Sequence, residues 1–145
     1  MNVITEAMRI YPSAWVFGRT AVKDDAIGGY RIPAEALVIV SPYVTHRLPG
    51  LWEDPERFDP DRFLPERSQG RPRFAYFPFS AGPRQCIGAS IAMMEAQMII
   101  AMAAQRYRLS VPPGFSPGIK PRISLTADCA IALTPIARMT LPSAT

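Results

Sequence analysis

Histidine and cysteine are scarce in this sequence, and their scarcity argues against several kinds of metal site. The 145 residues contain one histidine, His46, and two cysteines, Cys86 and Cys129, far apart in the chain. A structural zinc site needs about four cysteine, histidine or acidic ligands at set spacings, and an iron–sulfur cluster typically needs about four cysteines. The C-x-x-C-H motif that attaches haem covalently is also absent. Any metal chemistry must therefore depend on very few ligands.

Other absences narrow the possible partners. Only two of the 16 basic residues are lysines, and the arginines are scattered rather than clustered, which argues against nucleic acid as a partner. The glycine-rich phosphate loops G-x-x-x-x-G-K-S/T and G-x-G-x-x-G are both missing. Two distant cysteines do not make a disulfide framework, and no signal peptide is evident, so a reducing compartment is the expectation.

The composition predicts one globular unit with an unusually long irregular segment. Apolar residues make up 48% of the chain, enough for a real core. Seven of the 16 prolines fall between Pro49 and Pro83, so residues 48–78 are predicted to be irregular, and a loop this long is usually functional. The segment Ile87–Ala104 is nearly as long and apolar as a membrane span. Because Glu95 and Gln97 interrupt it, we predict a buried core helix instead.

Periodicity and turn signals predict a series of short elements on either side of that segment. The predicted elements are a helix over residues 1–11 ended by Pro12, an extended segment at 15–20, a hairpin with Gly28 and Gly29 at its turn, a strand at 36–41 buried on both faces, a helical turn at Tyr43–Arg47, a strand at Tyr107–Val111, and a hairpin of Ile123–Ala127 and Ala130–Leu133 with Asp128 and Cys129 at its tip. The last residues, Pro142–Thr145, are expected to fray.

The stretch Phe79–Gly88, FSAGPRQCIG, is the most informative part of the chain. It places Cys86 in a glycine-broken loop just before an apolar helix, where unpaired N–H groups favour a thiolate. A lone cysteine is more often a small buried core residue. A single thiolate can nevertheless be the axial ligand of a non-covalent haem, with Arg84 and Arg19 available for the propionates.

The full pattern resembles a known signature. Phe79-x-x-Gly82-x-Arg84-x-Cys86-x-Gly88 is similar at every fixed position to the haem-binding signature of the cytochrome P-450 family. Glu6-x-x-Arg9 resembles the E-x-x-R motif of that family's K helix. Pro55–Phe58, PERF, resembles the later motif whose arginine completes an ion-pair triad with the first two residues.

The residues alone leave two candidates for the third triad member. Arg57 and Arg62 occupy equivalent places in a local repeat, PERF then PDRF, and either could be the partner of Glu6. Spacing alone also favours an exposed Glu6–Arg9 pair. The resemblance implies a buried triad of Glu6, Arg9 and Arg57 that holds the cysteine loop in place.

The resemblance also implies a fold and a set of site residues. The fold is mixed α and β: the C-terminal part of the cytochrome P-450 fold, with a K helix, small sheets, a meander, the cysteine loop, a long L helix and a terminal β hairpin. Residues 1–145 would form a single partial domain, the last third of the family's usual length. Cys86 would be the catalytic residue and the axial ligand of the iron of haem b, bound non-covalently. The other implied haem contacts are Phe79, Gly82, Arg84, Gly88 and Arg19. The implied substrate-lining residues are Ala14, Trp15, Val16, Phe17 and Cys129, and His46 is expected to be structural.

The implied activity is that of a haem-thiolate monooxygenase that uses dioxygen to oxidise a small apolar organic substrate. Its electrons would come from a ferredoxin or a flavoprotein, which would dock near arginines such as Arg67, Arg71, Arg73 and Arg106. The alanine- and arginine-rich composition favours a bacterial, cytoplasmic enzyme. The alternatives are a truncated, non-catalytic chain that binds haem poorly and, more weakly, a haem sensor.

Overall fold

The chain folds into short helices, one long helix and two-stranded sheets. The computed structural model describes residues 1–138, so the fraying predicted for Pro142–Thr145 lies outside the described residues. In order, the elements are α1 (Asn2–Ile10), β1 (Phe17–Thr20), β2 (Asp25–Ile27), β3 (Tyr30–Ile32), β4 (Leu37–Val40), α2 (Pro42–Thr45), α3 (Pro65–Ser68), α4 (Ala89–Arg106), β5 (Tyr107–Ser110), β6 (Ile119–Pro121), β7 (Leu125–Ala127) and β8 (Thr134–Ala137), with 3₁₀ turns at Pro60–Phe63 and Gly82–Arg84. The predicted mixed α and β class is confirmed.

Helix α1 buries one face that is both apolar and charged. Ile4 and Ile10 lie on that face together with Glu6 and Arg9, both of which are fully buried. The helix ends at Ile10, two residues before Pro12, as proline sterics require. The first helix is therefore confirmed, and its ion pair is buried rather than exposed.

The strands form four separate antiparallel pairs. They are β1 with β4, β2 with β3, β5 with β8, and β6 with β7. Gly28 and Gly29 both have positive φ, which suits the two-residue turn between β2 and β3. The prediction that residues 36–41 are buried on both faces is wrong: Leu37 and Ile39, which share one face of β4, are 67% and 57% exposed, so that face is open to solvent.

The irregular segment 48–78 folds back over α1 and supplies most of the core. Trp52, Ala75 and Phe77 are buried there beside Ile4 and Ile10. His46 and Arg62 are buried in the same region. The rings of Trp52, Phe63 and Tyr76 pack with centroids 5.1 to 6.5 Å apart, within the range of favourable aromatic pairs. The core is thus built around polar side chains as much as apolar ones.

Helix α4 forms as predicted, but not in the predicted environment. None of its 18 residues is buried, and Ile91, Met94, Met98 and Ile99 are each more than half exposed. The prediction of a buried core helix is therefore wrong for this chain, because within residues 1–138 the other elements cover little of the surface of α4. Across those residues, no helix is both long and apolar enough to cross a membrane.

The terminal hairpin is displaced from its predicted position. Strands β6 and β7 pair with Pro121 opposite Leu125, so the tip lies at Arg122–Ser124. The segment after β7 crosses over to form β8, which pairs with β5. Asp128 and Cys129 therefore follow the hairpin instead of forming its tip.

Candidate functional site

The cysteine loop is shaped by backbone hydrogen bonds within Phe79–Gly88. The Cys86 N–H donates to the Phe79 carbonyl at 2.9 Å, and the Gln85 N–H donates to the Gly82 carbonyl at 3.1 Å. These bonds close the loop just before Gly88, the N-cap of α4. Cys86 is a free, exposed cysteine, so its thiol is available to a ligand.

The Cys86 cavity, as we call the cleft that contains this thiol, gathers residues from three parts of the chain. Its volume is about 470 Å³. The walls are formed by Met8, Ser13, Ala14, Phe17, Arg19, Pro78, Phe79, Ser80, Arg84, Cys86 and Ala92. Apolar side chains predominate, and the charged groups are two arginines. A cavity of this kind suits a largely apolar molecule that carries anionic groups at its edge.

Arg19 is hydrogen-bonded to the cysteine loop. Its Nη2 donates to the Ser80 Oγ at 3.3 Å and its Nη1 donates to the Gly18 carbonyl at 2.8 Å. Ser80 itself has a φ of 63°, a conformation that non-glycine residues rarely adopt. The contact between Ser80 and Arg19 was not predicted, and no sequence signal indicates it.

Glycine is suited to the two positions of the signature for different structural reasons. Gly82 has a φ of +69°, which favours glycine over any residue with a Cβ. Gly88 has an ordinary φ of −82°, and a Cβ built on it would lie 3.8 Å from the Cys86 Sγ. Gly82 thus shapes the loop, whereas Gly88 leaves the space next to the sulfur free.

A buried ion cluster joins α1 to the irregular segment. Arg9 donates from Nε to Glu6 Oε2 at 2.7 Å and from Nη2 to Glu6 Oε1 at 2.9 Å. Arg62 Nε donates to the same Oε1 at 3.1 Å, and the Asp59 N–H does so at 2.9 Å. We call Glu6, Arg9 and Arg62 the Glu6 cluster. Such bidentate, charge-assisted bonds are among the strongest in proteins.

The prediction of Arg57 as the third member of the triad is wrong. Arg62 of the PDRF repeat, 4% exposed, contacts Glu6, whereas Arg57 is exposed. Arg57 contributes its backbone carbonyl, which accepts from Arg9 Nη2 at 3.2 Å and Arg62 Nη2 at 3.1 Å. The 3₁₀ turn Pro60–Phe63 directs Arg62 towards α1. Because PERF and PDRF are so similar, the sequence does not distinguish Arg62 from Arg57.

Carbonyl oxygens offset the surplus positive charge of the Glu6 cluster. Two guanidinium groups share one carboxylate, so one positive charge is left over. Arg62 donates to the carbonyls of Glu53 and Asp54 at 2.6 and 2.9 Å, and Arg9 donates to that of His46 at 2.7 Å. The cluster therefore fixes the path of the meander as well as α1.

His46 lies in this buried region and outside the Cys86 cavity. Its side chain is fully buried, and the ring stacks on Tyr76 with centroids 5.2 Å apart. Burial lowers the pKa of His46 to about 4. Within residues 1–138, no group of three or more histidine, cysteine or acidic residues could hold a metal ion.

The predicted substrate-lining residues divide into two groups. Ala14 and Phe17 line the Cys86 cavity, and Trp15, Val16 and Cys129 do not. The Trp15 indole N–H instead donates to the Arg122 carbonyl at 2.7 Å. The Leu125 N–H donates to the Ser13 carbonyl at 2.9 Å. The tip of the β6–β7 hairpin, Arg122–Ser124, is thereby held beside Ser13 and Trp15, whereas Cys129, predicted to lie at a hairpin tip, is not part of it.

Comparison with known proteins decides the family. The family described as cytochrome P-450 matches residues 1–131. The chain belongs to the cytochrome P-450 family. It is 45% identical over 126 residues to cyclooctatin synthase from Streptomyces melanosporofaciens, covering 87% of this chain and 28% of that protein. It is 46% identical over 105 residues to cytochrome P-450 4V2 from Mus musculus, covering 72% of this chain and 20% of that protein.

Solved structures of the family show the same fold. The crystal structure of the cytochrome P-450DA heme domain superposes with a TM-score of 0.88 at 30% identity, over 94% of this chain and 30% of that one. Retinoic acid-bound cyanobacterial CYP120A1 gives a TM-score of 0.88 at 27% identity, over 94% of this chain and 32% of that one. The chain thus spans about a third or less of each of these cytochromes P-450.

Proposed function

We propose that this chain provides the cysteine-bearing, proximal side of the haem site of a cytochrome P-450 monooxygenase. The observation that supports this proposal best is the position of the Cys86 thiol. It is exposed in an apolar cavity that Arg19 and Arg84 also line. The composition of that cavity matches a flat apolar macrocycle that carries two carboxylates. The cofactor we propose is haem b, bound non-covalently.

Each residue of the site has a role in this proposal. The Cys86 thiolate would ligate the iron, and Arg19 and Arg84 would bind the propionates. Phe79 would pack against the haem on the sulfur side, and the absence of a side chain at Gly88 would leave space near the sulfur. Bound haem would supply the chemistry of dioxygen reduction. The chain's own residues would ligate the iron, orient the haem and exclude water from the site.

The overall reaction we propose is a monooxygenation. One atom of dioxygen enters a C–H bond of a small apolar substrate and the other leaves as water, with two electrons from a donor protein and two protons from solvent. A relative that is 41% identical over 113 residues, from Streptomyces melanosporofaciens, is named cyclooctat-9-en-7-ol 5-monooxygenase. The donor would be a ferredoxin or a flavoprotein, attracted by exposed arginines such as Arg73.

The hairpin tip defines a further part of the proposed substrate side. Ile123 is fully exposed at the tip of the β6–β7 hairpin, which is bonded to Ser13 and Trp15. We therefore propose Ala14, Phe17 and Ile123 as the substrate-facing residues of this chain. Cys129 is not among them, because it follows β7 and lies outside the Cys86 cavity.

A haemin titration of the purified chain tests the proposal. We expect the wild-type chain to give, after reduction and addition of carbon monoxide, the red-shifted Soret band of a thiolate complex. Cys86→Ser should lose that band, and Cys129→Ser should keep it, since both cysteines are exposed but only Cys86 lines the cavity. No haem uptake by the wild type would instead favour the non-catalytic alternative, which the exposed apolar surface of α4 supports.

The propionate contacts have a test of their own. Arg19→Ala or Arg84→Ala removes one charge-assisted contact and should weaken haemin binding by roughly 10- to 100-fold. Arg31→Ala is the matched control, because Arg31 is 79% exposed in a surface pair with Asp24 on the β2–β3 hairpin. Equal affinity for all three variants and the wild type would contradict the assignment.

A further inference from the structure

His46 makes hydrogen bonds from both ring nitrogens to backbone groups. Nε2 lies 3.0 Å from the Phe77 amide nitrogen, and Nδ1 lies 3.2 Å from the Arg9 carbonyl oxygen. The amide can only donate and the carbonyl can only accept. The ring must therefore carry its proton on Nδ1 and leave Nε2 bare, which assigns the neutral form and one tautomer.

These two bonds connect the Glu6 cluster to the cysteine loop. On one side, Arg9 belongs to the cluster and also donates from Nη1 to the His46 carbonyl at 2.7 Å. On the other side, the Phe77 carbonyl accepts from the Ser80 N–H at 3.1 Å. The loop proper begins at Phe79, whose carbonyl accepts from the Cys86 N–H. The imidazole thus bridges the buried cluster and the start of the loop.

We propose that neutral His46 is a positioning residue that holds the start of the cysteine loop against α1, and that protonation of His46 releases the loop. A proton on Nε2 would place two N–H groups against each other at the Phe77 contact, which removes the bond and adds repulsion. The proposal deepens the proposed function, because the loop it controls is the one we assign to haem.

The surroundings of the ring favour the neutral form. Burial is the largest cause of its lowered pKa, and the positive charges of Arg9 and Arg47 act in the same direction. The bond to the Arg9 carbonyl opposes them. Tyr76 stacks on the ring, and Trp52 and Phe77 meet it edge-on. The charged groups close by are Glu6, which is neutralised by two arginines, and Arg62, so no free carboxylate in the described region pairs with the ring.

A matched pair of variants separates the two bonds. In His46→Gln, the side-chain carbonyl can reach the place of Nε2 and accept from the Phe77 N–H. In His46→Asn, the shorter amide can replace Nδ1 but leaves the Phe77 N–H without its acceptor. Amide hydrogen exchange, read by mass spectrometry on peptides that contain Phe77, should be about tenfold faster in His46→Asn than in the wild type. In His46→Gln it should stay within about twofold of the wild type.

The acid response provides the second readout. After correction for the intrinsic pH dependence of amide exchange, the protection of Phe77 should fall between about pH 6.5 and 4 in the wild type and stay constant in His46→Gln, which cannot titrate. With haem bound, the thiolate Soret band of the wild type should be lost over the same range earlier than that of His46→Gln. Identical pH profiles for the two proteins would overturn the proposal.

A third measurement needs no variant. Because the chain has one histidine, deuterium exchange at the imidazole Cε1 position reports its titration without ambiguity. A midpoint near 4 in the folded chain is expected, and a midpoint near 6.5 would contradict the proposal even if both variants fail to fold. All amide and imidazole measurements are made without haem. A chain that shows the His46 effects but takes up no haem would therefore refute the proposed function alone.

Discussion

At the scale of single residues, the Glu6 cluster depends on which arginine is buried. Arg62 loses its water and gains Glu6 and three carbonyls, whereas the Arg57 side chain stays in solvent. The arginines of PERF and PDRF occupy equivalent places in the repeat but therefore have opposite roles. The reason is the 3₁₀ turn that begins at Pro60, where the Asp59 side chain accepts from the Asp61 N–H and starts the turn.

The first prediction compares these two arginines. Arg62→Ala should lower the free energy of unfolding by about 3–5 kcal/mol, because Glu6 keeps its burial and loses half of its charge partners. Arg57→Ala should change it by less than about 0.5 kcal/mol, since only the backbone of Arg57 takes part. Urea unfolding followed by circular dichroism measures both. Equal destabilisation by the two variants would show that the assignment of Arg62 is wrong.

The second prediction concerns the glycines of the signature. Gly82→Ala should cost about 1–2 kcal/mol of stability, because a Cβ at positive φ is strained. Gly88→Ala should be nearly neutral in the haem-free chain, since its φ is ordinary and the added methyl group meets Cys86 Sγ at normal contact distance. The same urea unfolding measurement compares them. A larger loss at Gly88 would contradict this division of roles.

At the scale of elements, α4 is the least satisfied part of the chain. Its apolar side chains point in all directions, and the residues described here leave them uncovered. Contiguous exposed apolar surface drives association in water. The helix is positioned at its N-terminal end by Gly88 and the cysteine loop, and at its C-terminal end by β5, which continues directly from Arg106.

The third prediction follows from that exposure. The chain should self-associate, and Met98→Lys combined with Ile99→Glu should shift sedimentation towards the monomer, because two charges then interrupt the exposed face. Val22→Lys is the control, since Val22 is 92% exposed as a single apolar side chain away from α4. If Val22→Lys had the same effect as the double variant, α4 would not be the associating surface.

At the scale of the whole molecule, the buried polar groups make stability depend on pH. The pKa of His46 is about 4 in the folded chain and about 6.5 when unfolded. Its contribution to stability is therefore fully present above about pH 6.5 and is lost as the pH falls towards 4, because the unfolded state binds the proton first. The sign is that of a histidine buried in its neutral form.

The fourth prediction measures this effect. Unfolding free energies at pH 7 and pH 4.5 should differ by about 2–3 kcal/mol more in the wild type than in His46→Gln. Other carboxylates also titrate at acidic pH, so the difference between the two proteins is the relevant quantity. The same loss of stability in both proteins would mean that His46 is not the acid-sensitive group.

The sequence by itself determined the parts of this protein that depend on local order. Helix α1 with its Glu6–Arg9 pair, the β2–β3 turn at Gly28 and Gly29, the cysteine loop and the helix that follows it are all specified by residues within about ten positions of one another. Such patterns can be read without knowing the path of the rest of the chain. The family resemblance rests on these local motifs, and the family match confirms it.

Only the tertiary structure decided the contacts between distant segments. Arg62 rather than Arg57, the bonds of His46 to Arg9 and Phe77, and the hairpin tip beside Ser13 all join residues 31 to 112 positions apart. Each depends on how the irregular segment and the terminal strands cross α1 and β1. No periodicity encodes such a path, because it is set by the packing of buried charge and aromatic rings around Glu6.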